Sequence, residues 1–85
     1  MKTPTIHING TSRQDLVEQY VNARSALHEA IRAMQATAPN GRDYYPQGLQ
    51  AIHEASSEHQ ERLYKLEVMA GEMFDLALAC NEDAT

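Results

Sequence analysis

Residues 38–48 read APNGRDYYPQG and gather an arginine, an aspartate and two tyrosines in one bend. Arg42 can fork onto a phosphate, because a guanidinium offers paired donors in one plane. Tyr44 and Tyr45 can stack on a nucleobase. Asn40 and Gly41, following Pro39, are the residue types that supply positive φ in a tight turn, and Asp43 pairs with Arg42 or caps a helix end. Four of the five aromatic residues in the chain are tyrosines, and two of them are adjacent here. Adjacent tyrosines on a bend cannot both bury, so one is expected to face a ligand or a neighbouring chain. Thr11, Ser12 and Arg13 form a second candidate anion site where the first helix opens. The expected ligand-binding set is therefore Asn40, Gly41, Arg42, Asp43, Tyr44 and Tyr45, with Thr11, Ser12 and Arg13.

Two further groupings have chemical potential. Ser56 and His59 interrupt an apolar seam, and the expected role of His59 is a hydrogen-bonded core histidine that fixes helix register. No serine, threonine or cysteine stands at a defensible spacing from it for nucleophilic catalysis, so no catalytic residue is assigned. Glu58 with Glu61, and Glu72 with Asp75, form two carboxylate pairs at i, i+3. They are similar to the Mg²⁺-holding pairs of all-helical nucleotide pyrophosphatases of the MazG type. On one helix the two pairs stand about 21 Å apart. Only self-pairing of two chains brings them together, and solvated surface charge is the expected role. The histidines are not spaced i, i+3 or i, i+4 from one another and Cys80 is the sole cysteine, so no metal site and no cofactor are expected. Cys80, in an apolar pattern, reads as a buried thiol.

These side chains need elements to position them. Residues 5–10 alternate Ile6 and Ile8 with polar neighbours, which predicts a short extended arm over 1–10. Helix 1 is expected over 12–37, with Leu16, Tyr20, Ala23, Leu27, Ala30 and Met34 on one stripe and a cap from Thr11 or Ser12. A turn over 38–46 follows. Helix 2 is expected over 47–80, its seam running from Leu49 through Leu63 to Cys80, with a frayed tail over 81–85. A hairpin centred near residue 42 sets His59 opposite Leu27. It leaves helix 2 outrunning helix 1 at its C-terminal end, where Met69, Met73, Phe74, Leu76 and Leu78 lie uncovered.

The predicted fold is a single all-α domain over 1–85, an antiparallel two-helix hairpin. At 85 residues the core is marginal, so the hairpin is expected to assemble into a homo-oligomeric bundle. The formal net charge is −5 and the seven basic residues are scattered, which argues against a DNA or RNA polymer as partner. No apolar run approaches the ~18 residues of a membrane span, and no secretory leader is recognisable, so a cytoplasmic location is expected.

The helix ending in Ala38-Pro39-Asn40-Gly41-Arg42-Asp43, followed by a second long helix, resembles the hairpin of phage anti-CBASS and anti-Thoeris sponges. Asn9-Gly10-Thr11 and the Pro39–Tyr45 stretch together resemble uncharacterised prophage proteins. The sponge resemblance implies a phage-encoded homo-oligomer that sequesters a cyclic nucleotide signal of bacterial immunity without cleaving it. Arg42 and Asp43 carry the implied site, and Gly41 its turn geometry. Two alternatives stand beside this expectation: a protein-interaction module that inhibits a host factor, and a small Mg²⁺-dependent nucleotide hydrolase.

Overall fold

Ser12 starts the first helix. Its backbone is extended and its Oγ accepts a hydrogen bond from the Asp15 N–H at 3.1 Å, satisfying one of the orphan donors of the first turn. In the computed structural model, which describes residues 1–82, this helix, α1, spans Arg13–Gln35. It ends where the Thr37 N–H and hydroxyl both donate to the Met34 carbonyl and Pro39 forbids a further turn. A connector over 36–48 contains two 3-10 turns, Gly41–Asp43 and Tyr45–Gln47. The second helix, α2, spans Leu49–Glu82. It thus starts two residues later than expected and takes in Asn81 and Glu82 of the expected tail; residues 83–85 lie outside the described residues.

The described residues contain no strand. In the arm, residues 1–7 have no regular structure, and the Gly10 N–H donates to the His7 carbonyl to close a turn. The alternation of Ile6 and Ile8 survives only as burial: Ile6 is half-buried and Ile8 exposed. A lone extended segment has no ladder to join.

The positive φ expected at Asn40 or Gly41 lies elsewhere. Asn40 is extended and builds the bend with its side chain: Oδ1 accepts from the Arg42 N–H at 3.0 Å, and Nδ2 donates to Asp43 Oδ2 at 2.9 Å. A side chain that imitates a backbone turn removes the need for a left-handed residue. Gly48, directly before α2, is the described residue with positive φ, at 104° with ψ 167°. Only glycine tolerates that region. Gly48→Ala is therefore expected to lower stability by about 1–3 kcal/mol. Gly41→Ala, where an added Cβ meets nothing within 4 Å, should fall within about 0.5 kcal/mol of the native chain. Urea midpoints of the two variants check this.

The helices run antiparallel. The Arg24 guanidinium lies over the Phe74 ring, 5.0 Å from its centroid. Midway between these two in sequence is Leu49, so the chain pivots beside Gly48 and not at residue 42. The connector causes the shift, because it climbs along α2 before turning back. Two expectations change. Helix α2 outruns α1 at the turn end, over roughly 49–62, and not at its C-terminal end, where Val17 and Val21 flank Phe74 and Leu78. His59 faces the end of α1 and the connector, beside Met34, Thr37 and Pro39, and not Leu27.

The core lies along one seam of α2: Ala55, His59, Leu63, Ala70, Ala77 and Cys80. No residue of α1 is fully buried. Leu16, Tyr20, Leu27, Ile31 and Met34 reach only half-burial on the facing stripe. Small side chains let the two backbones approach but remove little apolar area from water. The rod measures 61 × 20 × 17 Å, and its 18.7 Å radius of gyration compares with about 12 Å for a compact chain of this length.

Candidate functional site: the cleft behind the turn

Beyond the end of α1, α2 is covered only by the connector, and the cover is incomplete. A cleft of about 270 Å³ remains there. Pro39, Tyr44 and Gln47 of the connector form one wall with Met34 and Thr37. One flank of α2 forms the other, with Ala51, Glu54, Ala55, Glu58, His59 and Arg62. Glu54, Glu58 and Arg62 step by four residues, so successive helical turns aim them at the same opening.

His59 is the unusual member. It is 5% exposed, and its ring has no hydrogen-bond partner among the described residues, yet its nitrogens are not shut off from water, because the ring lines the cleft. A polar edge that meets only cleft solvent is free to bond a guest. The expected core histidine is thus buried as predicted, but no protein group in the described residues satisfies it. The charged groups around it, two carboxylates and one guanidinium, also form no ion pair among the described residues. The Thr37 hydroxyl does not complement the imidazole, since it donates to the Met34 carbonyl at 2.7 Å.

The sequence-predicted residues divide around this cleft. Tyr44 lines it and is half-buried; Tyr45 points away and is 77% exposed. The more covered ring of the adjacent pair is therefore the one on the cleft. Asn40 and Asp43 are occupied in holding the bend, and Gly41 gives it a place without a side chain. The Arg42 guanidinium stands exposed on the outer face, with no ion pair among the described residues, and does not line the cleft. Thr11, Ser12 and Arg13 lie at the opposite end of α1, about 34 Å along its axis from the connector. The Ser12 oxygen is engaged in capping, and Asp15 already brings a negative charge to that helix start. Those three residues do not join the turn in one site within a chain.

Glu54, Glu58, Gln47 and Arg62 are site residues that the sequence reading did not assign. Their i, i+4 spacing beside His59 was visible, but a pivot at residue 42 placed the wrong neighbours opposite them. Of the carboxylate pairs, only Glu58 reaches the cleft. Among the described residues no three His, Cys, Asp or Glu side chains converge as a metal ion requires. Among the described residues, no helix is long and apolar enough to cross a membrane. Comparison with family models, with curated proteins and with solved structures gave no match.

Proposed function

We propose that this chain is a phage-type anti-defence protein that sequesters a nucleotide-derived immune signal, without cleaving it, in the cleft behind its turn. It acts as a homo-oligomer in the host cytoplasm. The observation that carries the ligand reading is His59, 5% exposed and without a protein hydrogen-bond partner among the described residues, on a cleft walled by Tyr44. A flat heteroaromatic guest satisfies both groups at once: its face stacks on the tyrosine and its edge bonds the imidazole.

The charges set the orientation. Glu54 and Glu58 accept from exocyclic amines or ring N–H groups of a base and repel phosphate. The phosphate therefore sits at the rim, where Arg62 reaches it from α2 and Arg42 from the outer face of the bend. A cleft of about 270 Å³ falls just below the range of roughly 300–1,000 Å³ for whole ligands and matches one base with its phosphates outside. Sequestration is favoured over hydrolysis because the aliphatic hydroxyl on the wall, that of Thr37, already donates to the Met34 carbonyl, and no three His, Cys, Asp or Glu side chains converge among the described residues.

Titration calorimetry against cyclic di- and trinucleotides and cyclic ADP-ribose isomers tests the reading. Binding of one class is expected, with intact ligand recovered after denaturation. Loss of ligand that depends on Mg²⁺ indicates the hydrolase instead, and silence toward every nucleotide removes the proposal. Arg62→Ala should weaken binding by about tenfold to a hundredfold, the value of a charge-assisted hydrogen bond. Arg42→Ala, outside the cleft, should weaken it only a few-fold. The interaction-module reading keeps one supporting observation, an exposed apolar flank distant from the cleft.

A further inference from the structure

The hairpin exposes 6445 Å², whereas a compact monomer of 9.5 kDa exposes about 5,000 Å². The surplus of roughly 1,400 Å² exceeds the ~800 Å² that each partner contributes to a standard interface. Much of the apolar part gathers on one flank. Val17 and Val21 of α1 and Phe74 and Leu78 of α2 border a groove of about 330 Å³, and Tyr64 and Val68 continue it along α2. Phe74 is 47% exposed even with Arg24 over its ring.

The stripe on α2 has an internal symmetry. Tyr64, Val68, Phe74 and Leu78 are placed evenly about Gly71, seven and three residues to either side. Gly71 sits inside a helix, where glycine is about 1 kcal/mol less favourable than alanine. Nothing in the chain requires it: a Cβ built there meets no atom within 4 Å. A glycine at the centre of a palindromic apolar stripe is what a two-fold axis needs, since there each position meets its own copy.

We infer that this flank is covered by a second copy of the chain, its α2 packed antiparallel across Gly71. Tyr64 then meets the partner's Leu78, and Val68 meets the partner's Phe74. The two glycines bring the backbones together at the axis, and Val17 and Val21 extend the contact from α1. Glu67 and Asp75, four residues to either side of Gly71, border the stripe. Their like charges approach across the axis, so added salt tightens the dimer. The inference rests on the oligomeric part of the proposed function and is independent of its ligand.

Sedimentation equilibrium of the full chain, with circular dichroism as a check on helicity, reads the result. The native chain should sediment as a dimer or a multiple of it, more tightly in higher salt. Phe74→Asp should weaken association about thirtyfold or more at unchanged helicity. Gly71→Cys should form a disulfide-linked dimer under mild oxidation, while the native chain, its thiol fully buried at Cys80, does not. A native chain that is monomeric overturns this interface and the oligomer together. A native oligomer that salt weakens, or that Gly71→Cys fails to cross-link, overturns this interface alone. The cross-linking test stands even if Phe74→Asp does not fold.

Discussion

His59→Leu is expected to make the protein more stable and to abolish its ligand binding. The two effects have one origin. In the free chain the imidazole sits in an apolar seam with no protein partner among the described residues and meets only the water of the cleft. Leucine of similar volume adds apolar area to the seam between Ala55 and Leu63. The gain is about 1 kcal/mol, and a kcal/mol moves the melting temperature of a domain this size by roughly 4–8 °C. The same change removes the buried imidazole from the cleft, and the guest's edge is left unpaired in its turn. Affinity should fall about thirtyfold or more, as it does when a buried hydrogen-bonding partner is deleted. Differential scanning fluorimetry and calorimetry on one preparation measure both. A histidine that merely fixed register would behave in the opposite way: its leucine variant would keep the cleft's affinity and lose a unique oligomeric state. A polar group retained in an apolar seam, where an apolar one would be more stable, fits function opposing stability.

This contrast shows where the sequence was legible. The two helices were, because apolar residues recur at three- and four-residue steps and Ser12 and Pro39 mark the ends. Burial of Cys80 and His59 followed from the same periodicity. The pivot was not. A proline, an asparagine and a glycine in succession predict a tight turn at residue 42, yet Asn40 spends its amide on Arg42 and Asp43 and so builds a 3-10 turn that carries the chain onward to Gly48. Periodicity fixes which face of a helix is apolar but not how far one helix slides along the other. A six-residue shift in the pivot moved the overhang from one end of the hairpin to the other. It also turned a stretch of solvated charge, Glu54 to Arg62, into a cleft wall. The strand failed for a related reason, since alternation in residues 5–8 reports which side chains can share a face and is silent on whether a ladder partner exists.

Leu63→Ala should nearly unfold the isolated chain. Every other buried apolar side chain on the seam is alanine or cysteine, so Leu63, 8% exposed, carries most of the large-side-chain burial there. It sits where α1 ends and the connector takes over, and neither segment can close a void at that junction without moving the other. Leu→Ala at such sites costs about 2–5 kcal/mol. A core this small supplies only about 3–5 kcal/mol in total. Leu49→Ala, at a position 88% exposed, should change the urea midpoint by less than its error and serves as the control. In the proposed dimer the size of the Leu63 effect also depends on how much of the fold the second copy holds. If association supplies the missing burial, unfolding is linked to dissociation, and the melting temperature of Leu63→Ala rises with protein concentration. The native chain would show the same slope from a higher starting point. A concentration-independent melt for both would mean that the thin seam of α2 suffices by itself, and that the exposed flank about Gly71 contributes nothing to keeping the hairpin folded.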